Sequence, residues 1–156
     1  MLSALFKDGV WLAGNGPSKS AYRRSVIAMD GRAYISQRFA IDWDLVANKG
    51  NIFRGSRERN ENFWGFGQPV LAVADGEVTE AVDGIPDNTP GKLAPVTVQT
   101  IAGKHVTVRI AADAYVTFAH LKQGSIRVRL HQKTKRGAQL AQLGNSGNTT
   151  GTDLHF

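Results

Sequence analysis

The last six residues, GTDLHF, place two groups that can bind a metal within two positions of each other. Asp153 and His155 are separated by Leu154, and side chains alternate between the two faces of an extended segment. In a strand, Asp153 and His155 would therefore point to one face and Leu154 to the other. A carboxylate and an imidazole on one face form a candidate metal site.

Two other metal-competent residues stand in patterns typical of strands. His120 ends the run YVTFAHL, so it is predicted to lie at the end of a strand beside a loop. In RFAIDWDL, the apolar residues alternate with a second face that carries Asp42 and Asp44. Each has an ordinary structural explanation when it is taken singly: a half-buried histidine bonded to a carbonyl, and a solvated strand edge. His105 and His131 are predicted to be surface residues.

The composition limits both the class of protein and the kind of site. A chain of 156 residues is the size of one ordinary domain and can bury roughly 70% of its unfolded surface. Because the chain has no cysteine, disulfides and thiolate metal sites are excluded. The 19 Lys and Arg residues against 13 Asp and Glu residues give a net charge of +6, which favours anionic partners.

Local sequence argues against a nucleotide-binding loop, an export signal and a membrane span. The stretch GNSGNTTGT lacks the Gly-Lys-Ser/Thr ending of a phosphate-binding loop. The apolar start MLSALF is shorter than the apolar segment of a signal peptide. No window approaches the length of a membrane span.

Short β-branched runs dominate from residue 67 onward and predict an all-β fold. They cover 67–82, 95–101, 104–111, 114–121 and 125–130. Turn residues separate them, including a tight turn at 74–77 and a hairpin at 102–104. We expect one β-barrel or β-sandwich with long surface loops at 44–66 and 86–92. The best helix candidate is SAYRRSVIAM, residues 20–29.

Taken in order, these segments resemble the lysostaphin-like zinc metallopeptidase family. The matching stretches are RFAID, GQPVLAVADGEV, TFAHL and GNSGNTTGTDLHF, with GSIRVRLHQKTKRGAQLAQLG between the last two. The resemblance runs from about residue 31 to the end. It implies a mainly antiparallel β-sheet core with loops walling a groove. It also implies a zinc ion that activates water to cleave peptide bonds, typically in the cross-bridges of peptidoglycan.

Carried over by position, the resemblance assigns roles to five residues. Asp42 and His155 match metal ligands, and His120 matches a catalytic histidine. Arg38 stands where the family has its first zinc-binding histidine, and Asp153 where it has another catalytic histidine. A guanidinium has no lone pair to donate to zinc, and an anion at position 153 would not stabilise an oxyanion. We therefore expect hydrolysis to be weakened or lost.

Two arrangements of this altered site are open. Arg38 could bridge Asp42 and Asp153 in place of the metal, so that the domain binds without cutting and without a metal. Alternatively, Asp42, Asp153 and His155 could bind zinc or, better suited to two carboxylates, manganese. Arg38 and Asp42 reach one site only if the chain bends between them, because four residues of straight strand span roughly 13 Å.

Other functional classes remain open beside the peptidase interpretation. One is a non-catalytic module that binds cell-wall peptide or an anionic polymer through basic residues such as Arg127 and Arg129. Nucleic acid is disfavoured, because charges at alternate strand positions usually form a solvated face. A lipoyl-type carrier domain is a third class, but no lysine stands in a matching turn. The family resemblance suggests the bacterial cell envelope or secretion as the location.

We predict a single domain over residues 1–156. Residues 31–156 would form the family core, and residues 1–30 an extension that packs over the groove. In that extension, Tyr22 carries a phenol that could stabilise an oxyanion, although a tyrosine beside two arginines is more often a packed surface aromatic.

Overall fold

The computed structural model describes residues 1–17, 25–29 and 31–156. Within these ranges the chain forms β-strands and two short 3-10 helices, Asn48–Gly50 and Asn60–Asn62. The strands are β1 (Val10–Gly14), β2 (Ile27–Met29), β3 (Arg32–Tyr34), β4 (Asp42–Val46), β5 (Pro69–Leu71), β6 (Gly76–Val82), β7 (His105–Ala111), β8 (Ala114–Phe118), β9 (Lys133–Thr134), β10 (Gln139–Gln142) and β11 (Leu154–His155). The all-β prediction is confirmed.

All of these strands pair antiparallel, as the family resemblance implied. The largest sheet has the order β8-β7-β6-β9, and a second sheet has the order β1-β4-β11. β10 pairs with β5, and β2 pairs with β3. Two isolated bridges, Ala119 with His155 and Leu121 with Leu143, connect the segment after β8 to β11 and to the residue that follows β10.

The core lies between these ladders. In β7, Val106, Thr107 and Val108 are all buried, which is typical of a strand covered on both faces. Fully buried leucines from β10, β11 and the segments that follow β8 and β10 complete the cluster; they are Leu121, Leu140, Leu143 and Leu154. Burial of these side chains anchors the segments that carry the candidate site.

Two predicted strands are wrong. Residues 95–101 form turns and irregular structure, because β6 and β8 already occupy both edges of β7. The expected hairpin at 102–104 is therefore absent as well. Residues 125–130 are also outside any strand, although Ile126 and Val128 pack against the core. Their alternating pattern reflects burial of one face without a continuous ladder of hydrogen bonds.

The helix predicted at residues 20–29 is wrong over residues 25–29, the part of this range that the structure describes. Ile27–Met29 forms strand β2, which pairs with β3. Residues 20–24, including Tyr22, lie outside the described residues. In the part of the chain that is described, no helix has the length and apolar character needed to cross a bilayer.

Candidate functional site

A groove of about 310 Å³ gathers most of the predicted site residues. Asp42, His120, Asp153 and His155 all line it, together with Asp44. Asp42 lies at the start of β4, His155 at the end of β11, and His120 two residues beyond β8. Antiparallel pairing thus brings together residues that are up to 113 positions apart in the sequence.

Asp42 and His155 are direct partners. They stand opposite each other where β4 pairs with β11, and His155 Nδ1 lies 2.7 Å from Asp42 Oδ1. Because an ionised carboxylate only accepts hydrogen bonds, the imidazole nitrogen is the donor. The other Asp42 oxygen, Oδ2, accepts a bond of 2.9 Å from the side-chain amide of Asn15. The N-terminal extension therefore contributes Asn15 to the groove.

His120 is buried and held in one orientation. Its backbone has a φ of 62°, an uncommon value for a residue with a side chain. Nδ1 lies 2.7 Å from the carbonyl oxygen of Ser146, so Nδ1 carries the proton and donates it. The His155 ring lies 5.7 Å away, centroid to centroid. Burial, followed by the nearby His155, lowers the pKa of His120 to about 4, which keeps the ring neutral near pH 7.

Arg38 lies apart from this group. The chain turns over residues 36–39, so the bend required by the spacing is present. The Arg38 side chain is nevertheless exposed, and its guanidinium carbon lies 5.2 Å from the centroid of the Phe39 ring. None of the ion pairs among the described residues involves Arg38. The arrangement in which Arg38 bridges Asp42 and Asp153 is therefore not the one in this structure, because the side chain is exposed and lies over its neighbour.

Asp153 forms an acidic wall with Asp44. The Thr149 hydroxyl lies 2.5 Å from Asp153 Oδ1 and orients that carboxylate. Burial, then the charges of Asp153 and Asp42, raises the pKa of Asp44 to about 6. The sequence pattern placed Asp44 only on a solvated strand face. Its two-residue spacing from Asp42 was the signal, since positions i and i+2 of a strand share a face.

The loops 47–68, 83–104 and 144–152 contribute to the walls of the groove. Asparagine side chains join these loops to one another. Asn88 donates from Nδ2 to the carbonyls of Gly147 and Thr149, at 2.8 and 2.9 Å. The backbone carbonyl of Asn88 accepts a hydrogen bond of 2.9 Å from Asn60 Nδ2. The side-chain oxygen of Asn60 accepts a hydrogen bond of 2.8 Å from Asn145 Nδ2. This network has no signal in the sequence, because an asparagine in a loop carries no pattern that reveals its partner.

The loop that contains Asn88 is tied to the core by a buried ion pair. The Lys104 side chain is fully buried, and its Nζ lies 2.6 Å from Asp87 Oδ1 and 2.7 Å from the carbonyl oxygen of Ile85. A buried ammonium requires such partners, because its desolvation is costly. The 83–104 segment is thereby held against β7 despite having no regular secondary structure.

Among the described residues, the side chains at this site do not fit a zinc site with three protein ligands. Asp42 and His155 are adjacent, whereas Arg38, the residue that the resemblance aligned with a further ligand, is exposed and has no donor atom for a metal. Within the described ranges, no group of three or more His, Asp or Glu side chains is placed to hold a metal ion. The set of Asp42, Asp153 and His155 predicted for zinc or manganese is therefore not assembled as three ligands.

Comparison with known proteins identifies a family. The family model described as peptidase family M23 matches residues 63–156. The cell division protein DipM of Caulobacter vibrioides is 34% identical over 117 residues, which cover 72% of this chain. The chain spans only 16% of the length of DipM.

One of the similar solved structures supports the fold. A mutant catalytic domain of the prophage-encoded M23 protein EnpA from Enterococcus faecalis aligns with a TM-score of 0.56 and 17% identity, covering 97% of this chain and 82% of that one. A zinc-containing peptidase from Vibrio cholerae aligns with a TM-score of 0.43 and 18% identity, over 74% of this chain and 45% of the other. The first similarity supports the fold alone, and the second is too low to carry an argument.

Proposed function

Because the chain belongs to peptidase family M23, we propose that its groove binds a peptide of the bacterial cell wall and that zinc-dependent cleavage of this peptide is weak or lost. The proposal rests on the side-chain contacts of the three residues that the resemblance aligns with metal ligands. Asp42 and His155 bond directly to each other, while the side chain at the third position, Arg38, lies over Phe39.

The groove suits a short peptide. Its volume of about 310 Å³ is at the lower end of the range for ligand sites, roughly 300–1,000 Å³. Carboxylates, the polar 148–153 turn and the apolar side chains of Ile52, Phe63 and Leu93 all line it. Such a mixture can satisfy the polar backbone of a peptide and also cover small side chains. The family supports peptidoglycan as the source of that peptide, and the cell envelope as the location.

The replaced residues account for the expected loss of cleavage. A zinc ion at Asp42 and His155 would have two protein ligands, whereas zinc sites that activate water usually have three. When bound, zinc supplies activation of water and polarisation of the peptide carbonyl. Asp153 adds a negative charge where a hydrogen-bond donor would stabilise an oxyanion, and Asp44 lies beside it. His120 keeps an unprotonated Nε2 that can accept a hydrogen bond from a ligand.

Three measurements on the purified protein test this function. Elemental analysis after dialysis against zinc should give well under one zinc ion per chain. Calorimetry with cross-linked wall peptides should show binding, and chromatography of the same mixtures should show no zinc-dependent products. One zinc ion per chain, removed by His155→Ala, together with cleavage that a chelator abolishes, would overturn the proposed loss of activity. Absence of any peptide binding would overturn the binding role.

A restored variant makes the test sharper. Arg38→His together with Asp153→His returns a histidine to both altered positions, and we expect it to gain one zinc ion per chain. The matched control adds His155→Ala to the double variant and should lose that zinc. A double variant that is folded but gains no zinc would show that these two replacements do not explain the altered site.

The alternative of a module for anionic polymers rests on a different surface. Arg127, Arg129 and Lys133 are exposed, and the described residues include no ion pair that neutralises them. Polyanion binding that falls steeply with salt, and that Arg127→Ala with Arg129→Ala abolishes, would favour this function. Unchanged peptide binding by the same double variant would favour the groove.

A further inference from the structure

We propose that Ser146 is a positioning residue that holds the His120 ring in a single tautomer and orientation. The inference deepens the proposed function, in which His120 lines the peptide-binding groove, and it rests on that function for its biological meaning. Ser146 lies in the turn 144–152 and is fully buried, so its side chain makes no direct contact with solvent.

The first step is the bond that selects the tautomer. A carbonyl oxygen can only accept, so the Ser146 carbonyl at 2.7 Å requires a proton on His120 Nδ1. The neutral ring has one proton, and Nε2 is therefore left as an acceptor. If the carbonyl moved away, the two tautomers would no longer be distinguished by this bond.

The second step is what holds that carbonyl in place. The Ser146 hydroxyl accepts a hydrogen bond of 3.0 Å from the backbone N–H of Lys104. The same hydroxyl donates one of 3.0 Å to the carbonyl of Leu121, the residue after His120. Leu121 N–H in turn donates to the Lys104 carbonyl at 2.9 Å. The hydroxyl thus ties Ser146 to both segments that flank the ring.

The third step is the close approach of the backbone at Gly103 to the backbone at Ser146 and Gly147. Gly103 and Gly147 both have positive φ, of 61° and 77°. A Cβ at Gly103 would overlap the Ser146 carbonyl, and one at Gly147 would overlap the Gly103 backbone. His120 N–H also donates to the Ala102 carbonyl at 3.1 Å. The contact leaves little room for an altered position of the Ser146 carbonyl.

A second serine in the chain provides a matched control. The Ser125 hydroxyl donates to the Lys122 carbonyl at 2.7 Å and accepts a bond of 3.0 Å from the Gln142 N–H. It therefore bridges two backbone segments as Ser146 does, but its described bonds do not involve His120. Removing the Ser146 hydroxyl deletes its two backbone hydrogen bonds, and removing the Ser125 hydroxyl deletes two of the same kind together with a longer contact of 3.4 Å to the Gln142 carbonyl.

The test is the ¹⁵N spectrum of histidine-labelled full-length protein, recorded near pH 7 with a chelator present. In the wild type, His120 should give the pair of nitrogen shifts of a pure Nδ1–H tautomer. Ser146→Ala should move both shifts toward each other, as the Nε2–H form becomes populated. Ser125→Ala should leave them unchanged. Ser146→Cys, which keeps the volume but bonds weakly, should behave as Ser146→Ala does and serves if the alanine variant fails to fold.

The outcomes separate this inference from the proposed function. Unchanged His120 shifts in a folded Ser146 variant would overturn the positioning role, whatever the peptide does. Shifts that change equally in Ser125→Ala would overturn it too, because the effect would then be a general loosening. Changed shifts in Ser146→Ala with unchanged peptide affinity would support the positioning role and count against contact between His120 and the peptide.

Discussion

At the residue scale, Arg38 and Asp153 differ in where their side chains lie. The long side chain of Arg38 reaches solvent and lies over Phe39, so it stays outside the groove. Asp153 stays in the groove, where Thr149 holds its carboxylate. Its charge contributes to the raised pKa of Asp44. Under the proposed assignment, Arg38 would leave the site one metal donor short, and Asp153 would add negative charge beside Asp44.

Lys104 and Asp87 provide a residue-scale prediction. Asp87→Ala should lower the free energy of unfolding by about 3 kcal/mol, because it removes the carboxylate partner of a fully buried ammonium. Lys104→Met added to Asp87→Ala should recover most of this loss, since the methionine needs no charged partner. Urea denaturation of the three proteins measures both effects. A double variant as unstable as Asp87→Ala would contradict the explanation.

At the element scale, the groove depends on loops that are held by specific hydrogen bonds. The 83–104 segment has no strand, yet Asn88 ties it to the turn 144–152 and Lys104 ties it to β7. Such bonds give an irregular segment the fixed position that a ladder gives to a strand. The shape of the groove is therefore more sensitive to these loop residues than to the exposed strand faces.

Asn88→Ala tests this dependence. Loss of its two side-chain bonds should lower the free energy of unfolding by about 2 kcal/mol, and it should weaken peptide binding by releasing one wall of the groove. Denaturation and calorimetry measure the two effects.

Asn62→Ala is the matched control, because Asn62 donates a single bond to Ser56 within its own loop. It should lower stability by less than about 1 kcal/mol and leave peptide affinity unchanged. Equal effects of the two substitutions on affinity would contradict a role for Asn88 in shaping the groove.

At the scale of the whole molecule, stability comes from the apolar core between the ladders. Leu143→Ala should cost about 3 kcal/mol, because Leu143 is fully buried and bridges to Leu121. Leu130→Ala changes the same residue type at a site where 52% of the residue is exposed, and it should change stability by less than about 0.5 kcal/mol. Thermal or urea unfolding measures the free energy of unfolding of both variants. Similar losses in the two variants would contradict the assignment of Leu143 to the core.

The all-β class, the turn before β6, and β7 and β8 could be predicted from sequence, because alternation and turn chemistry are local properties. The meeting of Asp42, His120 and His155 was expected from the family resemblance, and no local pattern implied it. The exposed position of Arg38, the Asn88 network and the bond from His120 to Ser146 depended on tertiary structure. The Asn88 network and the His120 bond join segments far apart in the chain, and partner choice across such distances depends on packing that a local pattern does not encode.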